Sequence, residues 1–235
     1  MKKFAIFASA IACLFASPAQ AEIVAQTDAA FVTRDSAVVK ADLRETWLAL
    51  ISPGKWWNSA HTFSGDSSNM ILTPQGGGCF CERIPAEDTA TKVGLGGSVE
   101  HMSVILSIPD QALRMRGSLG PLQSEPVQGI MTITLSETGE GTRIVFEYAV
   151  AGFMRFKVPV ISKAVDGVMS QQLSGLAELL GVVEAPKGAA TPDNADATND
   201  DAEPDADPES VEEKADPKDP KISVDEAFGD LSDGD

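Results

Sequence analysis

The sequence predicts an α+β domain in which a curved antiparallel β-sheet wraps around a long C-terminal helix. Two observations carry that prediction. Between residues 69 and 152, runs rich in β-branched and aromatic residues alternate with glycine and proline punctuation, as in an antiparallel meander. At residue 158 the period changes: Ile161, Val165, Val168, Met169, Leu173, Leu176 and Leu180 recur along one stripe, which is the pattern of an amphipathic helix. A strongly twisted sheet has a concave face that can receive such a helix, and the space between them becomes core or cavity.

Each element follows from local signals. Residues 31–40 read as a first strand. Asp42 stands where an N-cap belongs, ahead of a helix whose Leu43, Trp47, Leu50 and Ile51 recur at helical spacing. Ser52-Pro53-Gly54 stops it, and Lys55-Trp56-Trp57-Asn58 begins a second short helix or turn. Strands follow at 69–73, at 79–84 after three glycines, at 98–108, and at 112–117 beyond the Pro109-Asp110 turn. Residues 128–136 and 142–152 pair across a glycine-containing hairpin connection. The final helix, 158–181, ends on Gly181. Gly167 and Gly175 lower its intrinsic helicity, and serve either close packing or the approach of a ligand.

The flanks are of different character. Residues 1–21 read as a secretory signal: Lys2 and Lys3, an apolar run too short to span a bilayer, and Ala19-Gln20-Ala21 as cleavage site. The expected location is therefore the periplasm or the cell exterior. No other hydrophobic run is long enough to be a membrane span. Residues 184–235 carry 18 acidic residues and four lysines, and are expected to form a disordered acidic tail. Ser223 and Glu226 have capping-box spacing ahead of Phe228 and Leu231, so a short helix formed on a weakly bound protein partner stands beside the plain solvated tail. Residues 22–183 remain as one domain. The formal net charge of −17 is thus concentrated in the tail, and no basic surface offers itself to nucleic acid.

The elements in this order, with Trp56-Trp57, His61-Thr62, Ser64-Gly65-Asp66, Gly77-Gly78-Cys79-Phe80-Cys81-Glu82, Val99-Glu100-His101, Leu119-Gly120-Pro121-Leu122, Gly141-Thr142-Arg143 and Gln171-Gln172-Leu173, resemble the START-like, or SRPBCC, superfamily. This helix-grip group includes lipid-transfer START domains and polyketide aromatase/cyclases. The resemblance covers about residues 31–181. It implies an internal cavity for a hydrophobic or aromatic small molecule, and it carries no catalytic motif with it.

The candidate ligand-binding residues are Trp56, Trp57, His61, Glu82, His101, Arg116, Tyr148 and Met169. Each has a plainer reading. Trp56 and Trp57 either cover a cavity mouth or fill the core. His61 lies in a polar loop and serves as an acid or base, or sits idle at the surface. His101 shares a strand face with Val99, Ser103 and Ile105 by parity, but both faces of that strand mix polar and apolar residues, and a hydrogen-bonded structural histidine is its plainer reading. Glu82, if it points inward, is expected to have its pKa raised by burial and to serve as an acid or base; outward, it is an ordinary strand carboxylate or the partner of an arginine. Arg114 and Arg116 share a face and either clamp a carboxylate or pair with strand carboxylates. Tyr148 offers a hydroxyl to the pocket or to the core. Met169 belongs to a set of methionines suited to an adaptable apolar cavity. Cys79 and Cys81 are expected chiefly as two reduced, buried thiols. A disulfide needs a bulge, because alternate strand residues lie near the limit of disulfide reach, and a metal site with the histidines lacks paired ligand spacing.

No nucleophile elbow, phosphate-cradling loop or dinucleotide fingerprint is present, so no cofactor is expected. The leading functional expectation is a non-enzymatic binding module for a hydrophobic small molecule. A cyclase or dehydratase using His101 or Glu82 as acid–base is the enzymatic alternative. A scaffold whose acidic tail docks a partner is the third.

Overall fold

The computed structural model describes residues 22–188. The leader anticipated at residues 1–21, and the tail beyond residue 188, lie outside the described residues. The elements run β1 (Glu22–Gln26), β2 (Ala30–Val39), α1 (Leu43–Leu50), β3 (Met70–Leu72), β4 (Cys79–Ile84), β5 (Gly97–Ile108), β6 (Ala112–Gly117), β7 (Val127–Thr138), β8 (Gly141–Gly152), α2 (Val158–Leu180) and β9 (Val182–Glu184). Single turns of 3-10 helix occupy Pro53–Lys55, Ser59–His61 and Ser67–Asn69, and a longer one Gly120–Ser124. The nine strands form one antiparallel sheet in the order β1-β2-β8-β7-β6-β5-β4-β3, and β9 lies beside β2. α2 packs on β1 and β2 and against α1. This is the helix-grip architecture.

The alternation in the sequence sets the inner face. Along β8, Thr142, Ile144, Phe146, Tyr148 and Val150 are buried and their neighbours are not. Met131, Ile133 and Leu135 of β7 do the same opposite them. Trp47 and Leu50 of α1, Trp56, Phe80, and Leu173 and Leu176 of α2 close one hydrophobic core over that face. Asp42 caps α1 as expected, accepting from the Glu45 amide at 2.8 Å. Gly175 is explained by packing: a Cβ there would lie 2.4 Å from the Trp56 carbonyl oxygen, so only glycine lets α2 pass so close to that loop. Nothing crowds Gly167.

Three features depart from the sequence expectation. First, β5 does not keep strict alternation. Phe80 faces Met102 but Cys81 faces Glu100, so His101 is an extra residue in the ladder, and Ile105 is skipped in the same way against β6. These bulges bend the sheet and turn both His101 and Met102 inward. Second, Cys79 and Cys81 form a disulfide, not the two free thiols expected. β4 is compressed at this point to a Cα separation of 5.4 Å, within disulfide reach. Among the described residues no cluster of His, Cys, Asp and Glu suits a metal ion.

Third, the domain continues past residue 183. β9 ends on Glu184, which lies opposite Val38. The amides of Lys187 and Gly188 donate to the buried carboxylate of Asp35 at 3.0 and 3.1 Å, and the Ser170 hydroxyl on α2 donates to it at 2.6 Å. The first residues of the acidic segment are therefore docked, because the Asp35 carboxylate, on the buried face of β2 beside α2, accepts their backbone donors. Both β1 and β9 were missed in the sequence; each is short and acquires its extended form from the β2 ladder.

Candidate functional site

A cavity of about 420 Å³ opens between the N-terminal half of α2 and two loops. Ile161, Val165, Val168 and Met169 form the helical wall. Trp57, His61 and Phe63 line the side made by residues 57–63, and Leu119, Pro121 and Ser124 the side made by residues 119–124. His101 lies at the inner end. The lining is mostly apolar, with a few polar groups at defined points, as in sites that hold small organic molecules.

Each wall is held by specific hydrogen bonds. Segment 57–63 is strapped to α2 by two consecutive glutamines: Gln172 Oε1 accepts from the Asn58 amide at 2.8 Å, and Gln171 Oε1 lies 3.0 Å from His61 Nε2. The Trp57 indole donates to the His61 carbonyl at 3.1 Å, which closes the turn. Below that turn, Glu82 is wholly buried and accepts from the amides of Phe63, at 3.0 Å, and Ser64. Across the cavity, the Tyr148 hydroxyl accepts from the Leu119 amide at 3.3 Å. Tyr148 packs over Gly129, where no side chain would fit.

His101 is fixed at both ring nitrogens. Nε2 lies 3.1 Å from the Glu82 carboxylate and Nδ1 3.2 Å from the Gln123 amide nitrogen. That amide nitrogen also reaches the Glu100 carbonyl at 3.4 Å, an acceptor that orients the Gln123 amide. His101 Nδ1 is then an acceptor and Nε2–H the donor to Glu82. The ring stands between Phe63 and Phe80, with centroid separations of 5.9 and 5.5 Å. Burial lowers the His101 pKa below its ordinary value and outweighs the attraction of Glu82. For Glu82, burial pushes the carboxyl up, but the hydrogen bonds from Ser64, Phe63 and His101 together hold it below the usual glutamate value. The pair is a neutral imidazole on a carboxylate.

Four of the eight sequence candidates therefore meet at the cavity: Trp57, His61, His101 and Met169. The other four do not line it. Trp56 is core, its indole donating to the Ala49 carbonyl at 3.0 Å and its ring edge-on to Phe146. Glu82 points inward as one reading required, yet its oxygens are taken by Phe63, Ser64 and His101, and its pKa moves down, not up. Tyr148 supports Leu119 from behind, and burial pushes its phenol up. Arg116 is exposed, as is Arg114, which donates to the Thr132 hydroxyl at 3.0 Å; both lie on the outer face of the sheet, because Met115 between them takes the inner one. Sequence reasoning missed Phe63 and Gln123. Gln123 directly follows the Leu119–Leu122 motif and Phe63 the His61-Thr62 motif, and adjacency was the only signal.

No family model and no curated protein matches this chain. Solved structures similar to it include a protein of Mesorhizobium loti, with 19% identity over 63% of this chain and 96% of that one and a TM-score of 0.42. A protein of Rhodobacter sphaeroides has 18% identity over 68% of this chain and 97% of that one, with a TM-score of 0.43. The di-domain ARO/CYC StfQ from the steffimycin biosynthetic pathway has 9% identity over 65% of this chain and 51% of that one, with a TM-score of 0.45. At this level the likeness concerns the fold and carries nothing about activity.

Proposed function

We propose that the protein binds an apolar or aromatic small molecule in the cavity beneath α2, outside the cytoplasm, as a binding module and not an acid–base enzyme. The observation that carries this reading is the cavity itself: about 420 Å³, apolar along the helix and aromatic at Trp57 and Phe63. That volume is in the range occupied by drug-sized ligands. Burial of apolar surface supplies the driving force, and His61, Thr62 and Ser124 are the polar groups in reach of a ligand's own polar atoms.

The cyclase alternative asks His101 to exchange protons with a ligand. Both of its nitrogens already have partners, and Glu82 is spent on backbone amides and on the imidazole. Such chemistry requires Gln123 to leave first, whereas simple binding requires nothing to move. The role of the acidic tail concerns residues outside those described.

Titration with an apolar fluorescent dye tests the reading. Saturable uptake with energy transfer from tryptophan, competed by long-chain or polycyclic compounds, is the expected result. Uptake that never saturates, or that persists unchanged after Val168→Trp fills the helical wall, contradicts it.

A further inference from the structure

The stretch from residue 151 to 165, which connects β8 to α2 and forms the first turns of that helix, has no acidic residue and three basic ones, Arg155, Lys157 and Lys163. In a chain of net charge −17 this is a marked local reversal. The same stretch exposes large apolar side chains: Phe153 is 70% exposed, Val160 66% and Phe156 39%. Leaving phenyl rings in water is costly unless something covers them.

The helical part of the stretch reaches the cavity, which Ile161, Ala164 and Val165 line. Ala164 is exposed and also lines the cavity, and Val160 lies one helical turn before it on the same face. Phe63, 56% exposed, lines the facing side. The connection is anchored beside the third wall. Glu125, next to the cavity-lining Ser124, accepts from the Arg155 amide at 2.8 Å and from its guanidinium at 2.6 and 2.8 Å. Arg155 is thereby used to fix the loop, which leaves as exposed cations Lys157, next to Phe156 in the chain, and Lys163, one helical turn beyond Val160.

We propose that this rim docks on an anionic lipid bilayer. Protruding phenyl rings flanked by lysines match the boundary between headgroups and acyl chains, with the rings below the phosphates and the ammonium groups among them. A peptide partner calls for a groove, and these side chains project outward. A second copy docked rim to rim would set Lys157 and Lys163 against their own equivalents, like charge on like, whereas an anionic surface neutralises them. Docking here sets the cavity mouth against the bilayer, so an apolar ligand passes between the two without crossing water; this last step rests on the binding function proposed above.

The test is co-sedimentation of the full mature chain with vesicles of phosphatidylcholine, alone or with about a quarter phosphatidylglycerol, a content that gives a clear surface potential. The expected result is binding to the anionic vesicles that weakens with added salt. Lys157→Glu/Lys163→Glu and Phe153→Ser/Phe156→Ser should each lower the partition constant at least about tenfold, while dye uptake from solution stays unchanged. No binding to anionic vesicles, or equal binding by wild type and both variants, overturns the proposal. So does a wild-type dimer that Phe153→Ser/Phe156→Ser converts to monomer, which assigns the patch to a second copy. Failed sedimentation with intact dye uptake refutes docking alone; absent dye uptake refutes the cavity function.

Discussion

Glu82 and His101 lie 3.1 Å apart behind the cavity because a bulge in β5 turns the imidazole inward onto a carboxylate that β4 has already buried. The pair looks catalytic by composition and is architectural by connection. Glu82 ties segment 63–64 to the sheet and His101 ties Gln123 to it, so two walls of the cavity hang on one carboxylate.

Removing that carboxylate should therefore damage both stability and the cavity. Glu82→Ala leaves two backbone amides and the imidazole without a partner, and is expected to cost about 3 kcal/mol in chemical denaturation. Dye affinity should fall with it. Gln123→Ala, which frees His101 Nδ1 but keeps the loop amides bonded, should cost about 1 kcal/mol. Equal effects from the two variants would deny Glu82 its central place.

Acidification should act with opposite signs at two places. His101 has a folded-state pKa below 6.5, so its contribution is complete above 6.5 and is lost as pH falls through the folded value. Glu82 behaves likewise below its ordinary 4.5. Asp166 is the reverse: burial and the neighbouring Asp35 raise it from 3.8 to about 6, so the protonated form is favoured on folding and its contribution is lost as pH rises through 6. Asp166→Asn should stabilise the protein at neutral pH, by an amount on the order of 1 kcal/mol after solvent screening, and should leave a melting temperature that only falls on acidification. His101→Gln should instead expose a rise in melting temperature from about pH 7.5 to about pH 5, from Asp166 alone.

The two glycines of α2 give a matched pair. Gly175→Ala forces a methyl group against the Trp56 carbonyl and should destabilise by about 2 kcal/mol, although alanine is the better helix former. Gly167→Ala meets nothing within 4 Å and should stabilise by roughly 0.5–1 kcal/mol. Thermal melts of the two variants in parallel check the contrast. Shifts of the same sign would mean that α2 does not pass Trp56 as described.

The Cys79–Cys81 bridge closes a very small loop, so the chain-entropy argument gives it only about 1.5 kcal/mol. Intact mass of the protein should rise by two hydrogens on reduction. Cys79→Ser/Cys81→Ser should fold and still take up dye, since both side chains lie on the face opposite Phe80 and Glu82. Two alkylatable thiols in unreduced protein would contradict the bridge.

Much of this fold was legible because its elements are long and their patterns regular. The hairpin of β7 and β8, the cap at Asp42 and the stripe of α2 each depend on local chemistry that a sequence displays. Bulges do not announce themselves that way. Parity groups His101 with Val99, Ser103 and Ile105 without saying which face is inner, and parity itself fails when one residue is added to a ladder. An inward Glu82 calls for a raised pKa if burial alone acts, whereas the three donors that reverse the shift come from residues 63, 64 and 101 and depend on tertiary structure. β1 and β9 were invisible for a related reason: they extend because β2 offers them partners.

Native mass spectrometry of the protein purified from its own host decides whether the cavity carries a guest. An apolar small molecule should travel with the wild type and be absent from Val165→Trp, whose indole would occupy the cavity. A wild type found empty under gentle ionisation, or a molecule retained equally by Val165→Trp, would contradict it.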